Sequence, residues 1–302
     1  MPAVSNRIRR AKPLLGTFVE IEAAGPVRSV VNQAIDAAFE AVATVHRLMS
    51  FHDADSDVSR LNREAFGGPV KVHDWTFSVL ETSVALHRRS NGIFDIATAP
   101  FLQALGLLPR FDRDTPIDQR TYDAVELLDG AMVRFRHRRA KIDLGGIAKG
   151  FAVDRALDAL RGFGGVDDGL VNAGGDLAAF GAEPQSVEIR HPRNPGRLVG
   201  RVKVANEAVA STARRLDLFR SAETTGSAII GPGGLAAANP IDGVTVRARS
   251  CMVADALTKI VMISGADAAG LLECYRASAL LITTDGDVQI SPDWQHAVSL
   301  AA

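Results

Sequence analysis

Cysteine is almost absent. The 302 residues hold two, Cys251 and Cys274, and neither lies in a C-x-x-C pair, so the usual zinc and dithiol-redox spacings are excluded. Two thiols in a chain of this length read as reduced, buried residues of a cytosolic protein, although the sequence leaves a Cys251–Cys274 disulfide open. An excess of either charge is missing too. The formal net charge is −1, so no global field draws the chain to nucleic acid or to an anionic membrane. No apolar run reaches the roughly 18 residues that a membrane span needs. Arg9-Arg10 stand near the N-terminus, but Lys12 and Pro13 follow where a signal peptide needs an uninterrupted apolar stretch. A cytoplasmic protein without a membrane span is predicted. The histidines form no H-x-x-x-H pair and there is no G-x-S-x-G elbow, which disfavours zinc hydrolysis and a serine-nucleophile hydrolase.

Apolar residues make up 47% of the chain and charged residues 23%, a globular composition able to bury a sizeable core. Val30, Val31, Ile35, Ala38, Phe39, Val42, Val45 and Leu48-Met49 recur mostly at steps of three and four, which predicts an amphipathic helix. Further helices are predicted from an N-cap at Asp74, over Thr98–Leu107, after Gly146, over Val253–Ser264 and over Ala266–Leu272. Leu14–Ile21, Lys141–Leu144, two segments around Gly174-Gly175, Val187–Arg190, Val199–Val204 and Val244–Ala248 read as strands. Ala279–Thr283 and Val288–Ile290 read as a hairpin around Asp285-Gly286. Helices and strands interleave without strict βαβ alternation, and short turns favour antiparallel pairing. The predicted class is therefore α+β rather than a doubly wound sheet. Gly181-Ala182-Glu183-Pro184 is turn-sized and connects strands rather than domains.

The most informative stretch is Asp143-Leu144-Gly145-Gly146-Ile147-Ala148-Lys149-Gly150. A strand runs into a glycine pair and a helix begins at once. The first helical turn offers unpaired N–H groups and the positive end of the dipole, glycines allow close approach, and Lys149 adds a mobile charge. Together these suit a phosphate or pyrophosphate. A plain strand–helix turn with Asp143 as cap and Lys149 in solvent satisfies the same residues. Asp255 stands in an apolar helical pattern, Ala254-Asp255-Ala256-Leu257-Thr258-Lys259, and a buried charge needs a partner. Asp255 and Thr258 share a helix face, and two oxygen ligands with phosphate oxygens suit Mg²⁺. Lys259 offers a metal-free alternative by pairing with a carboxylate or phosphate, and a simple ion pair within the helix is a third reading. Asp95, alone in Phe94-Asp95-Ile96, reads as a cap or turn residue. Asp53, Asp55 and Asp57 alternate like a calcium loop, but Val58 stands where that loop needs glycine, so Asp55 or Ser56 reads as a helix cap. The basic run Arg134–Lys141 reads as an exposed strand edge rather than a nucleic-acid patch.

Taken in order, these stretches resemble the ApbE family of FAD:protein FMN transferases. Leu15-Gly16-Thr17 resembles its Met-Gly-Thr, and Asp55–Asn62 its D-S-E-[IV]-S-R-[LI]-N. Phe94–Pro100 resembles F-D-[IV]-T-x-x-P, Asp143–Gly150 D-L-G-G-I-A-K-G, Asn172–Asp176 N-x-G-G-[DN], and Ala254–Leu257 A-D-A-L. The resemblance implies one α+β domain over residues 1–302, with a largely antiparallel sheet, flanking helices and FAD in a cleft. It implies that Asp143 and Lys149 contact FAD, and that Leu15, Met49, Ser50, Phe51, Phe94, Asp95, Ile96 and Ile230 line the site. Gly146, Asp255 and Thr258 would hold Mg²⁺, with Asp255 and Lys149 as the catalytic residues. The implied reaction cleaves the FAD pyrophosphate, attaches FMN to a Thr or Ser hydroxyl of a partner protein and releases AMP. Several positions depart from the family pattern. Ala228-Ile229-Ile230-Gly231 replaces H-I-I-D, so the His that would serve as base and the Asp are both gone. Ser211-Thr212-Ala213 replaces T-S-G, and Lys259 stands where Thr is frequent. These departures keep two alternatives in play: a flavin carrier without transferase activity, and an FAD pyrophosphatase.

Overall fold

The computed structural model describes residues 6–110, 123–214, 229–234 and 239–301. Its main sheet has eight strands in the order β1-β2-β6-β7-β10-β11-β12-β13. They are β1 (Asn6–Leu14), β2 (Thr17–Gly25), β6 (Asp168–Ala173), β7 (Asp176–Phe180), β10 (Ala208–Ala213), β11 (Ile241–Ala248), β12 (Ser278–Thr283) and β13 (Val288–Ile290). Every neighbouring pair is antiparallel. A small sheet joins β3 (Val70–Lys71), β4 (Val125–Leu128) and β5 (Met132–Phe135). Another joins β8 (Gln185–His191), β9 (Asn194–Val204) and β14 (Val298–Leu300). The helices are α1 (Arg28–Met49), α2 (Asp57–Glu64), α3 (Asp74–Arg89), α4 (Ala99–Ala104), α5 (Ala148–Arg161), α6 (Cys251–Ser264) and α7 (Ala269–Cys274). This is the expected α+β class.

The side-chain alternation of the sheet separates two cores. Ala173, Ala178, Ala208, Ala210 and Ala248 belong to the large buried cluster with α1, α5 and α6. These small side chains let α5 approach β6 and β7 and let α6 approach β10 and β11. The intervening residues Leu177, Ala179, Val209, Leu280 and Ile282 face a second cluster with Ile189, Val202, Val204 and Trp294. Period-two alternation of this kind assigns successive residues to opposite faces. In α1, the periodic residues are the buried ones, from Val31 to Met49.

Several local expectations are corrected. The segment Leu14–Ile21 is not one strand: Leu15 and Gly16, with φ of 56° and 70°, form a turn between β1 and β2. Both left-handed residues suit a two-residue hairpin, and Leu15 carries the strain that a side chain brings there. Lys141–Leu144 forms no strand. Its backbone instead bonds Asn62, through Ile142 N–H to Oδ1 at 2.7 Å and Asn62 Nδ2 to the Ile142 carbonyl at 2.9 Å. Of the basic residues in Arg134–Lys141, only Arg134 lies in a strand, β5, where its exposed side chain pairs across to Glu126 on β4 at 2.6 Å. His73, not Asp74, caps α3, accepting from Trp75 N–H at 3.1 Å. Ser56 caps α2 as expected. Cys251 is buried but Cys274 is exposed, and both are free thiols.

Candidate functional site

The site is built where α5 and α6 cross. Gly150 permits the crossing: a methyl group there would stand 2.2 Å from the Cys251 carbonyl oxygen and 2.8 Å from Asp255 Cβ. Asp154, one turn further along α5, holds the start of α6. Its carboxylate accepts from Ser250 Oγ at 2.7 Å, Cys251 N–H at 2.8 Å and Met252 N–H at 2.9 Å. A carboxylate at a helix N-terminus satisfies otherwise orphaned donors and complements the dipole. Asp255 returns the favour to α5, its Oδ2 accepting from Gly150 N–H at 3.0 Å.

Four charged side chains meet at this crossing. Lys149 forms an ion pair with Asp176 and lies 3.9 Å from Asp255 Oδ1. Lys259 forms an ion pair with Asp255 Oδ1 and donates to the Asp255 carbonyl at 3.1 Å. Asp176 and Asp255 are almost completely buried, while both lysines keep part of their side chains exposed. Burial pulls Lys149 down, but Asp176 and Asp255 outweigh it and leave its ammonium above the usual range. Burial also pushes Asp255 up, and the two lysines with the Gly150 N–H reverse that, leaving it lowered. For Asp176, burial and the like charge of Asp255 win over Lys149, and it is raised. Asp176 Oδ1 is buried with no hydrogen-bond partner.

The Asp143–Gly146 turn borders this cluster. A methyl group on Gly146 would lie 3.8 Å from Lys259 Cε and 3.8 Å from Phe94 Cε2. Asp143 N–H donates to the Ile96 carbonyl at 2.8 Å, and Asp143 Oδ2 accepts from Gly145 N–H at 3.1 Å. Burial raises the Asp143 carboxyl, while Gly145 N–H and nearby His52 oppose it. Gly146, Lys149, Asp255, Phe94 and Ile96 are thus brought to one region, with the α1 end beside it. Met49 and Phe51 are buried there, and the Ser50 carbonyl accepts from Ser56 Oγ at 2.6 Å. Asp95 is tied into its own turn, accepting from Ala97 N–H at 2.8 Å. Leu15 sits in the β1–β2 turn, its N–H 3.5 Å from His46 Nδ1, and Thr17 beside it packs so closely on Gly174 that a methyl group there would meet Thr17 Oγ1 at 2.6 Å. Ile230 lies apart, in a small apolar cluster with Phe101 and Leu102. Ala228 lies outside the described residues.

Two features differ from the sequence reading. The first-turn amides of α5 are not open to an anion throughout, because Ala148 N–H bonds the Leu144 carbonyl at 2.8 Å and Gly150 N–H bonds Asp255. Lys149 is pinned by acids rather than mobile. Asp176 was missed as a site residue, although Asn172–Asp176 signalled its turn. A surface cavity of about 290 Å³ lies on the Asp154 side of the α5–α6 crossing, lined by Trp75, Phe151, Asp154 and Arg249, and one of about 260 Å³ lies by Arg88, Glu126 and Arg136.

A divalent metal at Asp255 would need oxygen atoms with free lone pairs in a near-octahedral set. Those present are engaged. Asp255 Oδ2 serves Gly150, Oδ1 serves Lys259, and the Asp255 carbonyl accepts from Thr258 Oγ1 at 2.7 Å. Thr258 Oγ1 also bonds Thr212 Oγ1 at 2.7 Å. Among the described residues, no group of three or more His, Cys, Asp or Glu could hold a metal. As arranged, Gly146, Asp255 and Thr258 do not fit Mg²⁺. What the cluster does present is two ammonium groups around Asp255, with Lys259 beside the Gly146 turn.

The sequence model of the ApbE family matches residues 15–281. A FAD:protein FMN transferase from Vibrio cholerae is 27% identical over 258 residues, covering 80% of this chain and 77% of the relative. One from Rhodobacter capsulatus is 28% identical over 93% of this chain, which spans only 56% of that longer relative. The crystal structure of the ApbE protein from Thermotoga maritima superposes with a TM-score of 0.83 at 23% identity, covering 97% of this chain and 99% of the other. The motif order, the shared fold and the match across most of the sequence agree: this chain belongs to the ApbE family.

Proposed function

We propose that this chain, as one α+β domain, binds FAD and transfers its FMN half to a Thr or Ser hydroxyl of a partner protein, releasing AMP. The observation that carries this reading is the pair of ammonium groups, Lys149 and Lys259, that converge on Asp255, with Lys259 beside the Gly146 turn. The diphosphate of FAD lies against them, and Phe94, Ile96 and the Met49–Phe51 segment flank the flavin end. The acceptor hydroxyl gives its proton to water as its oxygen attacks the FMN phosphorus, the bond to the AMP phosphate oxygen breaks, and AMP leaves with the charge. Such transfers depend mainly on positioning and on electrostatic stabilisation of the phosphate oxygens. The carboxylate oxygens of Asp255 are engaged by Lys259 and Gly150 N–H and are not offered to Mg²⁺. The free thiols fit a cytoplasmic protein, and among the described residues no helix is long and apolar enough to cross a membrane.

One observation favours a second reading, FAD binding without transfer. Ala228 and Gly231 remove the His and Asp of the family pattern, and losing a general base costs about 10²–10⁴ in rate. Incubation with FAD and a protein that an active relative flavinylates separates the readings. The expected result is an FMN-sized mass increase on the acceptor with stoichiometric AMP by chromatography. Bound FAD that stays intact supports a carrier, and free FMN with AMP but no adduct supports a pyrophosphatase.

A further inference from the structure

We propose, on the FAD reading given above, that the Lys259 ammonium takes the place of a divalent metal at Asp255, so that the diphosphate binds without one. Lys259 follows Asp255 by four residues and therefore shares its helix face, with the acid on the N-terminal side, the favourable order for such a pair. Its ammonium engages the two Asp255 oxygens that face it, Oδ1 and the main-chain carbonyl. The other carboxylate oxygen, Oδ2, accepts from Gly150 N–H. An ammonium has three N–H donors, so one remains for a phosphate oxygen. The side chain keeps 19% exposure, which leaves that donor a way out of the cluster.

Charge agrees with geometry. Lys149 and Lys259 balance Asp176 and Asp255, so the four side chains sum to zero. Without Lys259 the sum is −1, and a dianionic diphosphate would be repelled unless a cation came with it. With Lys259 in place, a divalent ion on Asp255 would sit against an ammonium and compete with it for the same oxygens. The chain thus carries a cation that a chelator cannot remove.

The test is a Mn²⁺ titration followed by the free-ion EPR signal, on protein without FAD. The wild type is expected to leave the signal unchanged at millimolar Mn²⁺. Lys259→Thr, which offers a hydroxyl one turn along from Asp255, is expected to bind one equivalent. A parallel fluorescence titration with FAD should give the wild type the same affinity in chelator and in Mg²⁺. The threonine variant should gain about tenfold or more from Mg²⁺, the size of effect that a metal ligand carries. Stoichiometric Mn²⁺ binding by the wild type, or FAD affinity that falls in chelator, would overturn the proposal without any variant being needed. Absence of FAD binding in every buffer would instead remove the FAD reading, and the Mn²⁺ result would still decide the role of Lys259.

Discussion

Two buried acids at the α5–α6 crossing respond to the same surroundings in opposite directions. Asp255 faces two ammonium groups and is held below the usual carboxylate range, whereas Asp176 faces one closely and is raised. Removing Asp255 leaves Lys149 and Lys259 facing one buried acid, and breaking a buried pair costs about 3–5 kcal/mol. Asp255→Ala is therefore expected to lose that much in denaturant unfolding, and a loss below about 1 kcal/mol would show the pair to be solvent-screened. Asp143 supplies a pH test. Its folded carboxyl is raised by burial, so the folded state favours the protonated form, and stability is lost as pH rises through the folded value. Asp143→Asn should equal the wild type well below the ordinary carboxylate pKa of about 3.9 and melt above it at neutral pH. A variant that melts lower at neutral pH would contradict the raised carboxyl. At this scale the sequence carried Lys149, Asp255 and Asp143, because glycine turns and an acid in an apolar helix are local signals. Asp176 was hidden, since only the fold sets it against a lysine 27 positions earlier.

The two helices owe their crossing to Gly150 and to the Asp154 cap. Gly150→Ala places a methyl group against backbone that cannot yield, so a loss of about 1–3 kcal/mol or more is expected, with weaker FAD binding. Asp154→Ala removes three accepted hydrogen bonds at the α6 N-terminus and should cost about 2 kcal/mol. If thermal melting shows either variant unchanged, the crossing is held by other contacts. Elements with a buried stripe were legible in sequence: α1, α5 and α6 follow their apolar period. β1 was not, because it is an edge strand with Arg7 and Arg9 exposed and paired to Glu22 and Glu20. Lys141–Leu144 misled in the other direction. Its apolar residues are buried, but its backbone groups go to Asn62 and Ile96 rather than to a strand.

Across the whole molecule, the large sheet separates the site from a second core around Trp294, which is fully buried. Trp294→Ala should cost about 3–5 kcal/mol in unfolding. FAD affinity should change little, because Trp294 packs in the second core, away from the cluster that holds α5 and α6. A large drop in affinity would mean that the two faces of the sheet are coupled. The antiparallel α+β class was readable from short turns between strands, while the division into two cores depended on long-range pairing that no local pattern encodes. The most direct measurement is a crystal structure of the protein with FAD. The diphosphate should lie within hydrogen-bond distance of Lys149 Nζ and Lys259 Nζ at the Gly146 turn. FAD bound elsewhere, with both lysines still locked to Asp176 and Asp255, would contradict the account.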